Sequence, residues 1–177
     1  SVVAHMFSPF IPAAHFNSRF IVTKDAWFGG GCDLTPTYDE KKVKNQFHQS
    51  LKIFCDKYDK SYYKKFSKWC SEYFFLKHRN EERGIGGIFF DYLDAKSLKN
   101  FNFTIETGNF FCSFFKEMIQ KNQYKTWSSK HREKLFNKRS RYVEFNLLYD
   151  KGTTFGLKTN GNVDAILMSM PPLASWS

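Results

Sequence analysis

The sequence predicts an α+β fold, an antiparallel β-sheet with helices on its faces. Three observations carry that reading. An alternating stretch near the start reads as a strand with a hairpin partner, and apolar residues then recur at helical spacing over two long segments. The last third reads as strand, turn, strand, turn, strand, and short turns between successive strands imply antiparallel pairing.

Residues 14–23, "AHFNSRFIVT", place Phe16, Phe20 and Val22 on one strand face and His15, Asn17 and Arg19 on the other. "AWFGGGCD", residues 26–33, is positioned to pair back on that strand as a hairpin. From Asp39 to Tyr58, the residues Val43, Phe47, Leu51, Phe54, Cys55 and Tyr58 recur with helical period, with lysines on the opposite side. A second helix is predicted over 62–82, burying Tyr62, Phe66, Trp69, Tyr73 and Leu76 and ended by Gly84. Arg83 then falls at the end of that helix, where the dipole favours a surface cation. "GIFFDYL" reads as a short buried strand, residues 97–122 as a helix loosened near Gly108, and residues 129–138 as a basic helix. "RYVEFNLLY", "TTFGLK" and "VDAILMSM" read as strands, with "DKG" and "NGN" supplying turns.

The 177 residues are long enough for one domain, 1–177, and the first and last residues suggest a piece of a longer chain. A net charge of +10 suggests an anionic partner: nucleic acid, an acidic membrane, or a small polycarboxylate or phosphate. Compositional bias, with 21 Phe among many Lys and Asn, is an equally bland source of that charge. Cys32, Cys55, Cys70 and Cys112 form no C-x-x-C pair, so free thiols in a reducing compartment fit better than a zinc site. No apolar run has the length of a membrane span, and no signal peptide is visible.

The glycines do not make a nucleotide site. "GIGGIF" has Phe89 where a third glycine belongs, and it precedes a strand where phosphate cradling needs a helix N-terminus. "WFGGGCD" lacks the G-K-[ST] of a P-loop. Among the histidines, His15 stands out because it shares a strand face with Asn17 and Arg19, a pattern that a solvent-facing strand also produces. Asp33 follows three glycines, where a carboxylate can approach a ligand closely and where turn-forming Asp is also common. The basic run from Lys121 to Arg141 reads as a solvated helix face, because the aromatics follow core periodicities and do not interleave with it in sequence.

The segment "KWCSEYFFLKHRNEERGIGGIFFD", residues 68–91, resembles the signature of the oxygen-dependent coproporphyrinogen III oxidase family. "SVVAH…IPAAHFNSRF", "WFGGGCDLTPTY" and "RYVEFNLLYDKGTTFGLKTNGNVDAILMSMPPLASW" resemble further blocks of that family in the same order. The resemblance implies a large antiparallel sheet flanked by helices on both faces, and a homodimer formed through roughly residues 142–177. It implies oxidative decarboxylation of two propionates of coproporphyrinogen III to vinyls, with dioxygen as co-substrate and no cofactor, in the cytoplasm or an organelle. His15 would be the proton donor, and Asp33 and Arg83 would bracket the substrate. Ser1, Asn17, Ser18, Arg19, Asn160, Gly161 and Asn162 would contact it, with Arg19 and Arg83 holding propionates through their guanidinium forks.

Some bacterial members are described with a divalent metal on histidines matching His5, His15, His48 and His78; the wide spacing of these four leads us to expect none here. Met6, Ser18, Ala26 and Lys151 depart from the family pattern, and Lys151 keeps the usual arginine's charge without its fork. A basic nucleic-acid-binding module and an inactive dimerising family member are the rival readings.

Overall fold

The computed structural model describes residues 1–176. Its centre is a four-stranded antiparallel sheet of β1 (Val2–Ala4), β2 (Ala13–Val22), β3 (Ala26–Thr35) and β6 (Gly87–Asp94), in that spatial order. Between β3 and β6 come α1 (Glu40–Asp56), α2 (Tyr62–Tyr73) and a short hairpin of β4 (Phe75–Leu76) and β5 (Glu81–Glu82). After β6 the chain is helical: α3 (Leu98–Asn122), α4 (Ser129–Leu148), α5 (Lys151–Lys158) and α6 (Val163–Leu167).

The α+β class, the β2–β3 hairpin and the helical period of α1 are as the sequence predicts. Val43, Phe47, Leu51, Phe54 and Cys55 are the buried residues of α1. They meet Phe103, Phe111 and Met118 of α3 and the even-numbered side chains Ala14, Phe28, Cys32, Leu34, Ile88 and Phe90 of the sheet in one apolar cluster. Strand alternation sends Phe89 to the opposite face, into a second cluster with Cys70, Phe74, Leu76 and Phe145. Helix α2 lies against β6 and serves both clusters, Phe66 entering the first and Cys70 the second. Gly87 lets β6 lie tight against β3, since a Cβ there would strike the Cys32 carbonyl oxygen. All four cysteines are free thiols. Among the described residues, no helix is long and apolar enough to cross a membrane.

Three expectations are corrected. The helix predicted over 62–82 stops at Tyr73, and the chain turns back through the β4–β5 hairpin with Asn80 in the left-handed region at φ 52°. The basic helix does not end at residue 138 but continues to Leu148. The three strands predicted for the last third are helices, and the sheet has four strands. Leu135, Arg139, Tyr142 and Phe145 are buried at steps of four, three and three, so helical packing overrides the strand preference of Tyr, Val and Phe. The residues taken for turns are helix caps: Asp150 Oδ2 accepts from Thr153 N at 2.7 Å, and Asn162 Oδ1 from Ala165 N at 3.1 Å.

Aromatics do meet the basic run in space. Arg132 lies over the rings of Phe7, Trp127 and Phe136, Lys125 over Phe10, and Lys134 over Tyr38. Most of those rings come from distant segments, which a linear reading cannot register.

Glu144 ties α4 to the hairpin and to the C-terminal strap. Its carboxylate accepts from Arg79 Nε and Nη2 at 2.5 and 2.6 Å, His78 Nε2 at 2.7 Å and Trp176 Nε1 at 2.8 Å. The Arg79 hydrogen bonds, outweighing the cost of burial and helped by His78 and Trp176, lower the Glu144 carboxyl to about 2. A carboxylate held below its ordinary value stabilises the fold above that value and loses its contribution as pH falls through the depressed one. Glu144→Gln is therefore expected to cost on the order of 2 kcal/mol near neutral pH. Thermal melts at stepped pH should show that gap constant above about 4.5 and shrinking as pH falls to about 2.

Candidate active site

The register of the sheet builds the site. His15 pairs across to Asp33, Asn17 to Gly31 and Arg19 to Gly29; Asp33 and Gly31 in turn face Gly87 and Phe89 of β6. Cross-strand partners share a face, so His15, Asn17, Arg19, Asp33 and Phe89 share one side of the sheet, with bare glycine backbone between them.

Asp33 sits at the deep end, 4% exposed. Its Oδ2 is 2.8 Å from His15 Nδ1, and its Oδ1 accepts from Arg83 Nη2 at 2.5 Å. A carboxylate only accepts, so Nδ1 carries the proton, and among the described residues Nε2 makes no hydrogen bond. Burial alone would raise the Asp33 carboxyl, but the Arg83 guanidinium and His15 beside it outweigh that and hold it below its ordinary value.

Arg83 is not the surface residue at a helix end that the sequence suggests. It follows β5, is 2% exposed, and lies over the rings of Phe74, Tyr142 and Phe145 at 4.0, 4.9 and 5.0 Å. Backbone pairing of Arg83 N with Phe74 O at 3.1 Å fixes its entry to this cage. A guanidinium is the cation suited to such a place, being weakly hydrated and able to stack on rings.

At the shallow end, Arg19 Nη2 donates to Asp91 Oδ2 at 2.8 Å and Nη1 to Asn17 Oδ1 at 3.0 Å. Trp27 Nε1 donates to Asp91 Oδ1 at 2.9 Å, and Phe89 lies beneath the guanidinium at 5.4 Å. Tyr73 stacks flat on Phe89, with centroids 4.8 Å apart, and its hydroxyl donates to Asp150 Oδ1 at 3.1 Å. Burial and the Asp150 carboxylate push the Tyr73 phenol up to about 12.

The structure thus brings His15, Asn17, Arg19, Asp33 and Arg83 together. Ser1 lies just outside β1, one residue before Val2, which pairs with Phe16. Ser18 points to the other side of the sheet by alternation. Asn160, Gly161 and Asn162 form the α5–α6 turn, and no hydrogen bond or ion pair joins them to the sheet face among the described residues. Trp27, Asp91, Tyr73 and Asp150 were missed. For Asp91 a signal existed, since it has the same parity as Phe89 in a strand whose Phe90 enters the core.

His5, His48 and His78 do not join His15. Their Nε2 atoms donate to Ser169 O, Ile85 O and Glu144 respectively, and among the described residues no three metal-binding side chains converge. A groove of about 380 Å³ between α1 and α3 lies in the helical layer on the other side of the sheet. Its charged lining groups, Glu117 and Lys121, pair with each other.

Removing one partner of a buried ion pair strands the other, so Arg83→Met is expected to cost about 3–5 kcal/mol. Adding Asp33→Asn to that variant should recover part of the loss in denaturant melts, because the stranded charge is gone.

Known proteins match this chain along its whole length. The family model described as coproporphyrinogen III oxidase matches residues 1–177. A relative from Rickettsia bellii (strain OSU 85-389), named oxygen-dependent coproporphyrinogen-III oxidase, is 52% identical over 178 aligned residues, covering 100% of this chain and 64% of its own. Relatives of the same name from Rickettsia rickettsii (strain Sheila Smith) and Rickettsia akari (strain Hartford) are 54% and 53% identical, covering 97% of this chain and 62% of theirs. The chain therefore spans a little under two thirds of the length of these relatives. With the family model matched from first residue to last and about half of all positions identical to such relatives, the chain belongs to the coproporphyrinogen III oxidase family.

Proposed function

We propose that this face binds coproporphyrinogen III and supports oxidative decarboxylation of two of its propionates, in porphyrin biosynthesis. The observation that carries the reading is the ionised Asp33, locked between Arg83 and His15 beneath a glycine-floored strand face. A bulky macrocycle needs open space above the strands, which bare glycine backbone leaves, and four carboxylates suit a chain of net charge +10. Each turnover converts one –CH2–CH2–COOH to –CH=CH2 and carbon dioxide. The two electrons and two protons released reduce one dioxygen to hydrogen peroxide, so two turns give protoporphyrinogen IX.

The geometry favours a division of labour. Asp33 is too buried to meet a pyrrole N–H itself, and Arg83 too buried to hold a propionate. His15, with Nδ1 fixed on Asp33, is the partner that reaches the face, and its Nε2 accepts and returns the pyrrole proton. Asp33 orients the ring and stabilises the imidazolium, and Arg83 holds Asp33 in place. Arg19 receives a propionate, with Asn17 beside it.

Other elements of the reading rest on the family resemblance. They are contacts from Ser1, Ser18, Asn160, Gly161 and Asn162, a larger sheet covered on both faces, a cytoplasmic location and dioxygen acting without a resident cofactor. The homodimer through residues 142–177 has added support from apolar side chains there that face solvent, among them Phe155 at 69% and Met168 at 80%.

The test is aerobic turnover of anaerobically prepared coproporphyrinogen III by the full-length protein, with products separated after oxidation. Wild type should give protoporphyrin, and Asp33→Asn should lower turnover about a hundredfold or more. No product from folded wild type, or near-normal turnover by Asp33→Asn, would overturn the reading.

A further inference from the structure

Arg19 and Asp91 stand on strands that are not neighbours. Arg19 is on β2 and Asp91 on β6, with β3 between them. Their side chains meet over Gly29, where a Cβ would strike Asp91 Oδ1 and come within 2.8 Å of Arg19 Nε. Both oxygens of Asp91 are engaged, Oδ2 by Arg19 and Oδ1 by the Trp27 indole, while Asn17 takes Nη1 and Phe89 lies beneath. Trp27 is itself packed against Tyr92 at 5.2 Å.

As a stabilising device this would be poorly placed. The Arg19 and Asp91 side chains are 31% and 18% exposed, and ion pairs so open to water add little to stability. As a device for orientation it is complete: Asp91, Asn17 and Phe89 fix one guanidinium, Trp27 fixes Asp91, and the remaining N–H donors of Arg19 are left for a ligand.

We propose that Asp91, anchored by Trp27, is the positioning residue that sets the Arg19 guanidinium over the glycine floor as the receptor for one substrate carboxylate. This rests on the coproporphyrinogen reading of the same face. Asp91 touches no substrate; it acts through Arg19, and Trp27 acts through Asp91.

The inference separates from simple charge attraction by sign. Asp91→Asn makes the face more positive, so attraction alone predicts equal or tighter binding of a polyanion. Positioning predicts weaker binding, because the amide no longer holds the guanidinium in place. Trp27→Phe leaves the charge unchanged and keeps a smaller ring against Tyr92, while removing the indole N–H that Asp91 accepts.

The experiment measures coproporphyrin III binding by fluorescence and, separately, steady-state turnover, using full-length wild type, Asp91→Asn and Trp27→Phe. Both variants are expected to raise Kd and KM by about tenfold, with kcat within about threefold of wild type and unchanged melting temperature. Unchanged or tighter binding by Asp91→Asn overturns the inference, as does absence of coproporphyrin binding by wild type. So does a Trp27→Phe variant that only loses stability. If wild type binds the porphyrin with the predicted variant effects but gives no turnover, the positioning role stands and the oxidase reading fails.

Discussion

The Asp33–Arg83 ion pair is the constraint around which the rest of the molecule is arranged. Two charges removed from water cost several kcal/mol each, and their mutual attraction offsets that only when geometry and hydrogen bonding are both good. Asp33 meets the condition through Arg83 on one oxygen and His15 on the other. Arg83 meets it with the carboxylate and three aromatic rings, although among the described residues its Nε has no hydrogen-bond partner.

Much of the fold reads as a consequence. Phe74 comes from the end of α2, and Tyr142 and Phe145 from α4, so the cage exists only if α4 is docked against the hairpin that carries Arg83. Glu144 docks it by gripping His78 and Arg79 of that hairpin. Gly87 lets β6 approach β3 beside Asp33, and Gly29 lets Arg19 and Asp91 meet across it. The polar face therefore has a rigid, desolvated end and a partly exposed end, which suits proton transfer at one and recognition of an anion at the other.

What the sequence discloses follows the range of the interactions involved. The period-two pattern of β2 and the helical period of α1 are local, and both are legible without a structure. So is the grouping of His15, Asn17 and Arg19, because alternation is a property of one strand. The C-terminal helices were misread because Asp150 and Asn162 serve equally as turn residues and as N-caps, and Tyr142, Val143 and Phe145 favour strands when considered alone. Arg83 was misread for a different reason: three rings distant in sequence bury it, and only the assembled fold decides between a surface arginine and a caged one. Ser18 entered by resemblance within a run of contacts, yet alternation alone already sends it away from its neighbours Asn17 and Arg19.

The central claim is that Asp33 is a buried carboxylate kept ionised by its partners. It is tested most directly by NMR titration of the full-length protein labelled at aspartate carboxyl carbons, with the Asp33 signal identified by its loss in Asp33→Asn. The account predicts that this carboxyl is more than half ionised at pH 3.8, where an ordinary aspartate is half protonated. Half-protonation at or above that pH would show that burial dominates, and would contradict the arrangement of charges on which the site is built.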